Sequence, residues 1–369
     1  MSNILWVSTH RHGSDITIVE HKDAFTQALP SLDKSTQPAF AVFVGKTMKS
    51  VALRAIFNAA GETIQHDPHG QVRLWSEPSS RSTAAPTIFV DCELHENRAS
   101  QFSRARSHGP EAARHLQLSD DGTSMRDQKS LALRLYARVL KPIANLFCLF
   151  VSDLGGISGT QETLAQIAIS CRGTDTPRVA ICRVVIVVPT RSQKVQHSEV
   201  LARILDGAVR YLVKADHCQS ETEARAQLYR AFADVTILAL DDFDSREHRT
   251  QSLLQTIQQQ LEIVREARLS SRRLFSLHHS VALMRVALER FSAGMNDTYS
   301  LIEASRAHLE PSSGLPLHIT EFLTQAGSQR DISHTVVPLL ASAFVLNSCP
   351  PGMHCKPSPL CSKLELIKV

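Results

Sequence analysis

The sequence predicts an α/β fold in which a mostly parallel sheet is flanked by helices and followed by an all-helical C-terminal region. Two observations carry this. Between residues 39 and 245, apolar runs of strand length alternate with stretches of helical spacing, the pattern of βαβ units whose strands are covered on both faces. From Ser252 the strand-like runs give way to apolar residues at helical spacing alone.

Residues 1–38 read as an N-terminal extension of mixed character that closes in polar Asp33-Lys34-Ser35-Thr36-Gln37-Pro38. Ala39–Val44 is continuously apolar, is closed by Gly45, and leads into Ser50–Ala60, where Val51, Leu53, Ile56, Phe57 and Ala60 fall on one helical face. A weaker strand, Val72–Trp75, follows the turn-rich His66-Asp67-Pro68-His69-Gly70. Thr87–Val90 is the next strand and ends on Asp91, and residues 96–127 are polar enough to expect a mobile insertion. Lys129–Val139 has helical spacing, and Leu146–Val151 is a strand ending in Ser152-Asp153-Leu154-Gly155-Gly156. A helix at Gln161–Ser170 precedes the strand Val184–Val188, which Pro189 stops. Helices at Ser198–Val213 and Glu221–Ala233 lead to a last strand, Val235–Leu240, with Asp241 and Asp242 after it. The helical region spans 252–346: Leu253, Ile257, Leu261 and Val264 mark one helix, Leu277, Val281, Met284 and Leu288 a second, and Val336–Leu346 reads as a buried one. Residues 347–369 abandon this pattern and are expected to be a flexible tail, with Lys356–Val369 a truncated or frame-altered end.

Composition narrows the function classes. With 369 residues, 43% of them hydrophobic, the chain can bury a sizeable core, which excludes a disulfide-stapled miniprotein. Its 40 basic and 36 acidic side chains nearly cancel, which argues against a nucleic-acid polycation, and 5% aromatic residues argue against a base-stacking platform. No run approaches the roughly 18 apolar residues of a membrane span. His10, Arg11 and His12 interrupt the place where a signal peptide would be apolar, so a cytoplasmic protein is expected. Cys92, Cys148 and Cys182 lie in apolar runs, as reduced core thiols do. Cys349, Cys355 and Cys361, with His354, lack the C-x2-4-C pair that opens a zinc site.

In an open parallel sheet, ligands bind beyond the carboxyl ends of the strands. The first such turn reads Gly45-Lys46-Thr47-Met48-Lys49-Ser50. A phosphate loop has the form G-x-x-x-x-G-K-[ST], in which backbone N–H groups curl around phosphates, the lysine neutralises them and the hydroxyl ligates magnesium. Gly45, Lys49 and Ser50 supply three of those elements, but the second glycine is absent and the loop is two residues short. A helix N-terminus there still offers free N–H groups to an anion. Asp91 stands where a magnesium-holding carboxylate would follow a strand. Thr83 could act as a switch threonine, and Val213-Lys214-Ala215-Asp216 and Thr190-Arg191-Ser192 are incomplete guanine-reading motifs. Asp153-Leu154-Gly155-Gly156 is a tight turn at a strand end that could approach a ligand, though a glycine turn by itself explains it. Neither a G-x-S-x-G nucleophile elbow nor H-E-x-x-H occurs, and Gly155-Gly156-Ile157-Ser158-Gly159 has the wrong spacing for the former. His278-His279 reads as a surface pair.

Ala41–Phe57, Thr87–Asp91, Phe150–Gly156 and Pro350-Pro351-Gly352-Met353-His354 together resemble the P-loop NTPase-like module of large multidomain fungal proteins, in which the loop is F-x-G-x-x-G-x-G-K-S. The similarity covers residues 38–354. It implies a P-loop NTPase-like fold and a site for ATP or GTP at Gly45, Lys49, Ser50 and Asp91, with magnesium held by Ser50 and Asp91. The shortened loop makes the expected function a degenerate module with weak or absent hydrolysis, regulatory or scaffolding in role, with a protein partner met through the helical region. An active GTPase or ATPase, and a helical interaction unit without nucleotide, are the alternatives.

Overall fold

The computed structural model describes residues 4–12, 15–28, 36–57, 70–76, 85–94, 113–118, 128–170, 180–190, 196–215, 217–271, 273–295, 300–304, 315–326 and 336–348. Its centre is a nine-stranded sheet of order β6-β2-β1-β4-β5-β3-β7-β8-β9. The strands are β1 (Ile4–His12), β2 (Asp15–His21), β3 (Ala39–Gly45), β4 (Val72–Ser76), β5 (Thr87–Glu93), β6 (Ala113–Gln117), β7 (Leu146–Phe150), β8 (Arg183–Thr190) and β9 (Val235–Asp241).

The expected P-loop NTPase-like, mostly parallel sheet is corrected by this pairing. Four neighbouring strand pairs are parallel and four are antiparallel, so the fold class is mixed α/β. The parallel half, β5-β3-β7-β8-β9, comprises the strands legible as apolar runs. The antiparallel half is added by β4 and by segments assigned elsewhere. Residues 1–38, expected as an extension, contribute β1 and β2 to the sheet itself. The insertion at 96–127 contributes β6, which pairs with β2, while 95–112 and 119–127 lie outside the described residues.

Helices cover both faces. One cluster packs α2 (Thr47–Phe57) and α7 (Arg246–Ser270) on the sheet, through Leu53, Phe57, Leu253, Ile257 and Leu261 against Phe43, Phe89, Cys148 and Val185. The opposite face carries α3 (Gln128–Leu135), α4 (Gly156–Ser170), α5 (His197–Lys214), α6 (Glu221–Ala231) and α8 (Leu277–Ser292), with the short α1 (Ala24–Ala28) and α9 (Leu301–Ala304). The alternation along β3 is complete: Phe40, Val42 and Val44 face this second cluster, Ala41 and Phe43 the first. Cys92, Cys148 and Cys182 are buried, as expected, together with Cys218.

Two polar devices tie distant parts together. The guanidinium of Arg268, near the end of α7, is buried and donates to the carbonyls of Ala144 at 2.6 Å and Ile143 at 2.7 Å and, more weakly, to Asn145 Oδ1 at 3.3 Å. On the other side, Arg114 of β6 pairs with Glu20 of β2 at 2.7 Å and with Glu289 of α8. Beyond α8 lie α10 (Leu315–Ala326) and α11 (Val337–Ser348). The second corrects the expectation of a buried helix: Val337 is 56% and Leu339 52% exposed. Of the expected tail 347–369, Asn347 and Ser348 belong to α11, and 349–369 with the three cysteines lie outside the described residues. Among the described residues, no helix is long and apolar enough to cross a membrane.

Candidate functional site

The strand–turn–helix corner of β3 and α2 sits where strand order reverses, with later strands laid down on both sides of β3, β5 on one and β7 on the other. Such a switch point is where a crevice for ligand opens in α/β sheets. Here it is filled. The α2 helix starts directly after Gly45, with Ser50 N donating to Lys46 O at 3.1 Å as its first helical bond. That leaves the N–H groups of Lys46, Thr47, Met48 and Lys49 as the four a helix cannot satisfy within itself. All four donate to the carboxylate of Asp153: Lys46 N and Lys49 N to Oδ2 at 2.8 and 2.9 Å, Met48 N and Thr47 N to Oδ1 at 3.0 and 3.1 Å.

Local sequence places that carboxylate. Phe150 ends β7, and Val151–Leu154 form one 3-10 turn that aims Asp153 back toward α2. The turn stops at Gly155, whose φ of 87° is left-handed and whose N–H returns to Val151 O. On the other side, Gly45 leaves the room: a Cβ there would lie 2.6 Å from Asp153 Oδ2 and 3.1 Å from Lys49 Cβ. The carboxylate also meets the positive end of the α2 dipole.

Lys49 points away from this corner. With Leu53 and Phe57 it forms the buried stripe of α2, and its side chain is 0% exposed. Its Nζ makes an ion-pair contact with Asp91 Oδ1 at 2.5 Å, donates to Glu93 Oε2 at 2.7 Å and lies 3.3 Å from Cys92 O. Burial alone would lower the lysine pKa, but the Asp91 and Glu93 carboxylates more than reverse this and hold the ammonium charged well above its ordinary range. Asp91 and Glu93 lie on β5 opposite Phe43 and Gly45, so strand register delivers both acids to the lysine. Tyr136 closes the cluster from behind by donating to Glu93 O at 2.7 Å and accepting from Gly70 N at 3.2 Å.

The structure therefore brings Gly45, Lys49, Ser50 and Asp91 together, but not as a nucleotide site. The anion position is taken by Asp153, and the lysine charge is spent on two internal carboxylates. The Ser50 hydroxyl donates into its own helix, to Lys46 O at 2.6 Å, and Asp91 faces an ammonium where magnesium would need it. These residues do not fit a magnesium-bound triphosphate. Of the other candidates, Thr83, Arg191, Ser192 and Asp216 lie outside the described residues, and Lys214 closes α5 instead of following a strand. His279 is buried, with Nδ1 2.6 Å from Ser276 Oγ, so the 278–279 pair is not wholly a surface feature. Among the described residues, no group of three or more His, Cys, Asp or Glu side chains could hold a metal ion. The sequence places Asp153 only in a turn that could approach a ligand, without its capping of α2, and gives Glu93 no role. The available signals were an acid at the end of the strand beside β3 and a loop too short to wrap a phosphate.

The fold and corner define a mixed α/β protein with a self-capped strand–helix junction. No protein-family model matches the chain, and no curated protein does. Among solved structures it is similar to siderophore hydrolase EstA from Aspergillus nidulans, with 11% identity over 70% of this chain and 94% of that one and a TM-score of 0.28. For siderophore hydrolase EstB from the same organism the identity is 9%, the coverage 70% and 95%, and the TM-score 0.24. Likeness at this level carries neither a fold family nor an activity.

Proposed function

We propose that this chain is a regulatory or scaffolding module that turns over nucleotide weakly or not at all and meets a protein partner through its helical region. One observation carries the reading: the Asp153 carboxylate accepts the four free N–H groups of α2, the donors a phosphate would need. Each hydrogen bond to a charged group contributes about 1.5–3 kcal/mol, and a triphosphate would have to displace all of them while repelled by the carboxylate. The buried Lys49–Asp91–Glu93 cluster supports the same reading, because the one ammonium is already held by two carboxylates and is not available to a phosphate. For a partner, α10 and α11 carry apolar side chains in water: Leu317 and Leu323 on α10, Val337 and Leu339 on α11. Four cysteines buried as thiols fit a reducing compartment such as the cytoplasm.

The test is equilibrium binding of fluorescent ATP and GTP to the full chain with magnesium, together with phosphate release. We expect no saturable binding in the micromolar range and no turnover above background. Micromolar affinity for either nucleotide would overturn the proposal.

A further inference from the structure

A cavity opens beyond the carboxyl ends of β7, β8 and β9, between α2 and the first turns of α7. Its volume is about 180 Å³. Its walls are apolar: Met48, Ala52 and Ala55 from α2, Phe150 and Val187 from the sheet, and Leu253 from α7. Its mouth is polar and carries Asp242, Arg246 and Arg249. Lining and position are those of a small-molecule site in an α/β sheet, at a volume suited to a small ligand.

We propose that this cavity binds a small carboxylate whose body is a single aromatic ring or a short branched chain. The volume sets the body, since an apolar cavity of about 150 Å³ accepts benzene. The mouth sets the head. Two guanidinium groups stand against one carboxylate, so the rim carries a net positive charge. Arg249 Nη1 lies 3.7 Å from Asp242 Oδ1, too long for a formed hydrogen bond, so a ligand carboxylate can take the guanidinium in the forked geometry that pair prefers. The cavity shares Met48 with the α2 N-terminus but uses none of the four donors held by Asp153, so the inference stands apart from the nucleotide question.

Calorimetric titration of the full chain with 3-phenylpropionate and with its uncharged amide tests this. We expect saturable binding of the acid at millimolar or lower concentration, with the amide at least tenfold weaker. Arg249→Gln, a change at a partly exposed rim position, should bring the acid down to the affinity of the amide and leave the amide unchanged. Ala55→Leu should abolish both, and retention of the wild-type circular dichroism spectrum separates a filled cavity from a misfolded chain. Absence of saturable binding by the acid, equal affinity for acid and amide in the wild type, or unaltered selectivity in Arg249→Gln would each overturn the proposal.

Discussion

Gly45 and Asp153 approach so closely that a Cβ on Gly45 would stand 2.6 Å from the Asp153 carboxylate oxygen Oδ2. That oxygen is already fixed by two backbone donors, Lys46 N and Lys49 N, so it cannot yield without losing them. Gly45→Ala is therefore expected to destabilise the fold by about 2–4 kcal/mol, as loss of charged hydrogen bonds and overpacking do. Urea unfolding measures it, and a loss below ~0.5 kcal/mol would mean that the corner adapts freely.

Removing the carboxylate itself leaves the four donors of α2 without a partner. Asp153→Ala should cost about 3–5 kcal/mol, more than an ordinary helix cap. The variant also gains what the wild type lacks, a vacant anion position at a helix N-terminus. Inorganic phosphate or sulfate should then raise the Tm of Asp153→Ala while leaving the wild type at its matched-ionic-strength value. Equal shifts in both proteins would argue against the cap as the occupant of that position.

Lys49 is fully buried between two acids. Lys49→Met strands those carboxylates in the interior and should destabilise by about 3–5 kcal/mol, because breaking a buried pair costs more than never having made it. Adding Glu93→Gln and Asp91→Asn to that variant should recover part of the loss. If the triple variant is no more stable than Lys49→Met, the cost lies in packing and not in charge.

Stability should fall at alkaline pH. Burial raises the Cys92 and Cys148 thiols above the ordinary value of 9.0 and the Tyr136 hydroxyl above 10.0, and the acids around Lys49 hold it protonated above 10.5. Each group keeps in the folded state a proton that the unfolded chain gives up, so its contribution is whole below the unfolded value and is lost as pH climbs toward the folded one. The loss is about 1.4 kcal/mol per pH unit per group. Arg268, pushed down to about 10 by burial, acts in the opposite sense above that pH. The urea midpoint should be level up to about pH 8 and decline from about pH 9, with a shallower decline in Cys148→Ala. A midpoint that is flat to pH 11 would contradict this.

Much of the parallel half was legible because its strands are buried on both faces. Runs such as Ala39–Val44 and Val184–Val188 are apolar throughout, and little but a central strand accommodates them. β1, β2 and β6 are a different case. Their residues alternate or are largely polar, and their pairing rests on partners far along the chain, such as Glu20 opposite Arg114. A half-polar segment becomes a strand only when a neighbour presents its free backbone groups, so β1, β2 and β6, and with them the mixed character of the sheet, stayed out of reach.

At the site, the residues themselves fixed the composition of the corner: a glycine closing a strand, a helix with a lysine on its buried stripe, a loop two residues short of a phosphate cradle, and an acid ending another strand. Spacing could bring Gly45, Lys49 and Ser50 onto one turn because neighbours within a turn are set by local geometry. Asp153 meets the α2 donors across 104 to 107 positions of chain, and the Lys49–Asp91 and Lys49–Glu93 pairs depend on the register of β5 against β3. Those contacts exist only once the sheet is assembled, because hydrogen bonds and ion pairs act over a few ångströms and carry no trace in sequence separation. Assembly of the sheet thus decided that the anion position is filled from within.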